Sequence, residues 1–141
     1  MWKNLNLLMT MRTSQSLKKS NSELSTREKG NLGEDRAVNF LLSQKYEILD
    51  RNYRIRTGEI DIVALKDDTV VFVEVKSLPH GNLEILSHEL NSTKQKKIIK
   101  TSKSYLQNHR QYSNRFIRYD VLAIDVPGLD PVHHIVNAFS E

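Results

Sequence analysis

The run Val70-Val71-Phe72-Val73-Glu74-Val75-Lys76 constrains the fold more than any other part of the chain. β-Branched and aromatic residues at successive positions suit a strand, and polar residues are too few for one side to face water. Such a strand has both faces covered, which calls for a sheet with helices on either side. Two further strands are predicted before it, at Tyr46–Arg54 and Gly58–Leu65. The Asp67-Asp68 pair reads as a two-residue turn that joins the second strand to the third in a hairpin.

Helices bracket these strands. Ser25-Thr26-Arg27-Glu28 has the spacing of a capping box, so a helix is predicted from about Thr26 to Ser43. Ala37, Val38 and Leu41 form its apolar stripe, and one turn back that stripe lands on Glu34. A carboxylate is thereby aimed at the core side of its helix. A second helix is predicted from Ser92 to about Asn108, carrying Ile98, Ile99, Tyr105 and Leu106. Leu78–Asn91, with Pro79 and Gly81, has no clear period and reads as a mobile loop. Two last strands, Phe116–Val126 and His133–Phe139, are parted by Pro127-Gly128 and Pro131. The order α-β-β-β-α-β-β defines an α/β fold with a mixed central sheet flanked by helices.

The 141 residues fit one domain, assigned to residues 25–141. Residues 1–24 are polar and basic, without the apolar core and cleavage site of a secretory signal, and read as an N-terminal extension outside the fold. No apolar run approaches the roughly 18 residues of a membrane span. Cysteine is absent, which excludes disulfides, a thiol nucleophile and cysteine-based metal sites. A reducing cytosol fits that composition, so a cytoplasmic location is expected. The net charge of +4 suggests an anionic partner. Its distribution narrows the suggestion: residues 1–29 carry six Lys/Arg against two Glu, whereas residues 30–141 balance fifteen against fifteen. An argument for nucleic acid must therefore rest on local patches.

One such patch is the second helix, whose Lys94, Lys96, Lys97, Lys100 and Lys103 have no acidic neighbour in the segment. A solvated face is the plain explanation; a phosphate-tracking surface is the functional one. Lys94 and Gln95, at the helix start, are best placed to reach a site on the sheet.

The hairpin register supplies that site. If Asp67-Asp68 is the loop, Lys66 pairs with Thr69, Asp61 falls opposite Glu74, and Glu59 falls opposite Lys76. Two carboxylates and a lysine then converge on one face of an apolar hairpin, with Glu34 facing them. The plain reading is a cross-strand ion-pair network, worth about 0–1 kcal/mol at a surface. Facing carboxylates repel, however, and a hard divalent cation such as Mg²⁺ relieves that repulsion. Lys76 would then orient an attacking water. His133-His134 does not suggest a metal pair, because adjacent strand residues point to opposite faces. Arg118, Tyr119 and Asp120 read as packing with one buried ion pair.

These residues match a known pattern. Gly58-Glu59-Ile60-Asp61 followed by Glu74-Val75-Lys76 resembles the PD-(D/E)xK motif of restriction-endonuclease-like nucleases. Asn31–Glu34, Gly58–Ala64, Phe72–Lys76, Lys94–Ile98, Arg118–Val121 and Asn137–Phe139, in that order, are similar to the YraN-like uncharacterised protein family. The likeness covers roughly residues 29–139 and departs after the lysine, where Ser77-Leu78-Pro79-His80 stands in place of an arginine-containing turn. It implies a restriction-endonuclease-like fold of the kind compared with Holliday-junction resolvases. It also implies metal roles for Glu34, Asp61 and Glu74 with Mg²⁺ or Mn²⁺, and Lys76 as catalytic lysine. The expectation is a metal-dependent nuclease acting on DNA, with branched or damaged structures as candidate substrates and Lys94, Gln95, Lys96, Lys97 and Lys100 on the nucleic acid; a homodimer is admitted. The rival expectation is a non-catalytic nucleic-acid-binding module that keeps the fold.

Overall fold

The computed structural model describes residues 24–141, so the basic extension lies outside the described residues up to position 23. Helix α1 spans Thr26–Ser43. Its start is closed as the spacing predicts: Ser25 Oγ accepts the Glu28 N–H at 3.2 Å, and Glu28 Oε2 accepts the Ser25 N–H at 2.9 Å. The chain's two units divide inside α1, the first ending at Leu32 and the second running Gly33–Glu141. The sheet and the candidate site belong to the second.

Five strands follow: β1 (Glu47–Ile55), β2 (Gly58–Lys66), β3 (Thr69–Ser77), β4 (Phe116–Ile124) and β5 (Val132–Phe139). They lie in the order β1-β2-β3-β4-β5, and every neighbouring pair is antiparallel except β3 and β4. A parallel pair needs a crossover, and here it holds α2 (Leu83–Glu89), α3 (Ser92–Asn108) and a short 3₁₀ turn at Arg110–Tyr112. The sheet is therefore mixed and the fold α/β, compatible with a restriction-endonuclease-like architecture.

Alternation along the strands gives each face its own core. Ile62, Ala64, Val71, Val73, Leu122 and Ile124 pack beneath Ala37 and Leu41 of α1. On the opposite face Val63, Val70, Phe72 and Tyr119 meet Ile98 and Tyr105 of α3. Val121 and Ala123 continue that face towards Leu86 of α2. All but one of the residues Val70–Glu74 on β3 are no more than 1 % exposed, and Glu74 itself is 6 % exposed, which is the two-sided cover its composition demands.

Two expectations need correction. Residues 78–91 are not a loop throughout, because α2 occupies seven of them. Asn82 caps it, its Oδ1 accepting the Ile85 N–H at 2.9 Å, while Leu86 is buried. Two turns are too short to show a helical period. The fourth strand also ends earlier than expected, at Ile124 instead of Val126, where Asp125 takes φ 56° and its carboxylate is held by Arg36 at 2.6 and 3.0 Å; the fifth runs Val132–Phe139, one residue longer than expected. Among the described residues, no helix is long and apolar enough to cross a membrane.

Candidate active site

The β2–β3 hairpin keeps the expected register from Lys66↔Thr69 up to Ile62↔Val73 and then opens. Beyond that pair Asp61 Oδ2 accepts the Val75 N–H at 2.8 Å, taking the place of the carbonyl a continuing ladder would offer. β3 stays paired with β4 through Ser77↔Ile124, so only its β2 side is released. Glu59 is consequently not opposite Lys76. It pairs instead with Arg54, 3.1 Å away at the exposed turn between β1 and β2.

In the opening, the carboxyls of Asp61 and Glu74 are close enough for each to alter the other's hold on its proton. Glu74 is 6 % exposed. Burial, reinforced by the charge of Asp61, pushes Glu74 up to about 7. Burial also raises Asp61, against the Val75 N–H that favours its charged form. Burial and mutual repulsion thus oppose two full charges on the pair.

Glu34 reaches the same opening from α1. Gly33, one residue before it, sits on β3, where an added Cβ would lie 3.7 Å from Ser77 Cβ. The Glu34 carboxyl is raised by burial first and by the charge of Asp61 second. Its Oε1 is the one buried side-chain polar atom without a hydrogen-bond partner among the described residues. Arg51 Nε stands 3.6 Å from it, an ion pair too long for a hydrogen bond, while Arg51 Nη2 is committed to Asp35 at 2.6 Å. Arg51 escaped the sequence reading; its only signal was its place two positions from Tyr53 on an amphipathic strand.

Three cations surround the carboxyls. Lys94, in the first turn of α3, brings Nζ to 3.5 Å from Glu74 Oε1. Lys76 turns to Glu89 at the end of α2, with Nζ 3.1 Å from Oε2. Arg51 completes the set from β1. Gln95 does not reach the site: its Nε2 donates to the Leu90 carbonyl at 2.8 Å and ties α3 to α2. Lys96 and Lys100 line the flank of α3 beside Ser140 and Glu141, whereas Lys97 faces the β1–β2 turn. Lys103 pairs with Glu141.

A second polar cluster lies under the C-terminal end of α1. Asp120 is fully buried and accepts from Arg118 at 2.8 and 2.7 Å, from His134 at 2.7 Å and from the Asn137 N–H at 2.9 Å. Those donors outweigh desolvation and hold its carboxyl below the usual range. Arg118 also donates to the Tyr46 hydroxyl at 2.7 Å, and His134 sits edge-on to Phe40. Asp120 is thus held from four sides inside the fold, which suits packing around one buried ion pair. His133 takes no part in it.

Among the described residues no cluster of three His, Cys, Asp or Glu is drawn together tightly enough to hold a metal unaided. Two neighbouring carboxyls with the orphaned Glu34 oxygen nearby nevertheless suit Mg²⁺, which takes one or two carboxylates and completes its shell with water and phosphate.

A mixed sheet between helices, opened at one hairpin beside paired carboxyls with a lysine two residues on, makes an α/β protein compatible with a restriction-endonuclease-like fold. Residues 33–124 match the uncharacterised protein family UPF0102. A UPF0102 protein of Treponema denticola is 40% identical over 124 residues, 79% of this chain and 95% of its own. One from Clostridioides difficile is 41% identical over 117 residues, 82% of this chain and 100% of its own. A third, from Geobacter metallireducens, is 42% identical over 111 residues, 78% and 90% of the two chains. The chain belongs to the UPF0102, or YraN-like, family.

Proposed function

We propose that the protein is a metal-dependent nuclease that hydrolyses phosphodiester bonds in DNA. The observation that carries this reading is the Asp61–Glu74 carboxyl pair, buried where β2 leaves β3, with Lys76 two residues further along the same strand. Nothing in the packing of an apolar hairpin requires two carboxyls there, and their mutual repulsion opposes folding. Asp61 and Glu74 would hold Mg²⁺ or Mn²⁺, with Glu34 acting through the outer shell. Such an ion supplies charge stabilisation at the phosphate and makes water a stronger nucleophile.

The chain's own groups do the rest. Glu74 must give up its proton before it can bind a cation, and Lys94 beside it favours that ionised form. Lys76, once it leaves Glu89, has three N–H donors with which to orient a water and to neutralise charge gathering on the phosphate. Lys94 and Lys97 offer fixed positive charge to the flanking phosphates. Cutting both strands of a duplex needs two such sites, which a homodimer would provide.

One observation favours the rival reading, a binding module that has kept the fold. Lys76 and Lys94 are each already engaged by a carboxylate, Glu89 and Glu74. The test is a panel of linear, flapped and four-way DNA incubated with Mg²⁺ or Mn²⁺, with Glu74→Ala alongside. The nuclease reading expects metal-dependent products from wild type and none from the variant. Binding without products from any substrate gives the rival its place.

A further inference from the structure

A groove of ≈ 320 Å³ runs beside the carboxyl pair, between the β1–β2 turn and the first turns of α3. Arg54, Ile55, Thr57, Gly58 and Glu59 form one wall, and Lys94, Lys97 and Ile98 form the other. The walls are fixed against each other. An added Cβ on Gly58 would collide with Thr101 Oγ1, so the turn rests directly on α3 and a larger residue there would displace that side chain. Three cations and one carboxylate face this space, and the carboxylate of Glu59 is already neutralised by Arg54 at 3.1 Å. With Lys94 also facing Glu74, the surplus charge is positive and centred on Lys97, and Ile55 and Ile98 add aliphatic lining.

The groove opens onto the site through Lys94, which lines it and also stands 3.5 Å from Glu74 Oε1. Its size is at the lower end of what small-ligand sites enclose. One sugar–phosphate chain with a base fits such a space; the width of a double helix does not. Single strands are bound elsewhere by a positively charged groove that tracks the backbone; aromatic side chains for base stacking are not among the residues lining this one, so its grip is on the phosphates.

We infer that this groove is a track for a single nucleic-acid strand, which passes between Arg54 and Lys97 and delivers one phosphate to the Asp61–Glu74 pair. This rests on the nuclease reading for its purpose, but not for the binding itself, which needs neither metal nor turnover. The substrate class is then DNA with an unpaired segment beside the scissile bond. Arg54 and the turn that carries it are the new members of the interface.

The test is fluorescence anisotropy in EDTA, using a labelled single-stranded oligonucleotide and the duplex of the same sequence. Wild type is compared with Arg54→Gln/Lys97→Gln and with Lys45→Gln/Arg110→Gln, which removes equal charge away from the groove. The Arg54 side chain is 71% exposed, so the substitution spares the core. Wild type should bind the single strand more tightly than the duplex. The groove variant should lose about tenfold or more of that single-strand affinity, and the remote variant should lose less than about threefold. Equal losses from both variants, or a wild-type preference for duplex, would overturn the track. Cleavage is scored separately: groove-dependent single-strand binding without products rejects the nuclease reading and leaves the track standing. Metal-dependent cleavage with unchanged binding by Arg54→Gln/Lys97→Gln does the reverse.

Discussion

Two carboxyls that lie close together in a buried opening cannot both be charged cheaply, and Glu74, pushed up to about 7, carries the cost. Its ordinary value is 4.5, so the folded protein holds this proton more tightly than the unfolded chain does. Stability of the metal-free protein should therefore fall as pH rises from about 4.5 to about 7 and level off above that. The loss is on the order of 1–3 kcal/mol, enough to move a melting temperature by several degrees. Thermal melts in EDTA at pH 5.5 and 8 should show the drop for wild type and little of it for Glu74→Gln. Asp120 answers to the opposite logic, being buried but surrounded by donors. Asp120→Ala should cost about 3–5 kcal/mol, because Arg118 and His134 lose their partner, and urea unfolding at pH 7 measures it. Residue identities separated these two acids only in part. Asp61 and Glu74 were found through register, whereas the hydrogen bond from Val75 that opens the hairpin is a side chain replacing a backbone group, and no spacing encodes that.

Among the elements, α1 and the β2–β3 hairpin were legible because local chemistry specifies each of them. Ser25 and Glu28 close the start of the helix, and Asp67, at φ 52°, takes the left-handed turn conformation that Asp tolerates. Helix α2 was not legible, since seven residues after Pro79 and Gly81 give no period to count, although Asn82 before Leu83-Glu84 was a usable cap signal. The omission mattered for the site, because Glu89 on that helix is the partner of Lys76. α3 showed its core stripe and its lysines but not which lysine faces what. Lys94 and Lys97 border the groove, while Lys96 and Lys100 lie on the other flank. Lys96→Gln/Lys97→Gln/Lys100→Gln should reduce the slope of log K against log salt by about 1 if only Lys97 meets a phosphate, and by about 2–3 if both flanks of the helix do. An unchanged slope would take α3 out of the interface.

At the scale of the whole molecule, the surplus charge lies within residues 1–29 while the remainder is balanced. Deleting residues 1–24 should therefore lower general affinity for nucleic acid without altering cleavage specificity, a comparison to run beside the lysine variants. The fold itself follows from one apolar strand that needs cover on both sides, met by α1 on one face and by α2 and α3 on the other. The proposed chemistry rests on a division of labour at the opened hairpin: Asp61 and Glu74 would hold a divalent cation, and Lys76 would act on water and phosphate. Calorimetric titration of Mn²⁺ into wild type, Glu74→Ala and Lys76→Ala, with DNA cleavage scored on the same preparations, tests that division most directly. Glu74→Ala should lose both metal affinity and cleavage. Lys76→Ala should keep or slightly gain metal affinity, because a protonated lysine cannot be a ligand, yet lose cleavage. Cleavage by Lys76→Ala at the wild-type rate would contradict the account, whatever the fold.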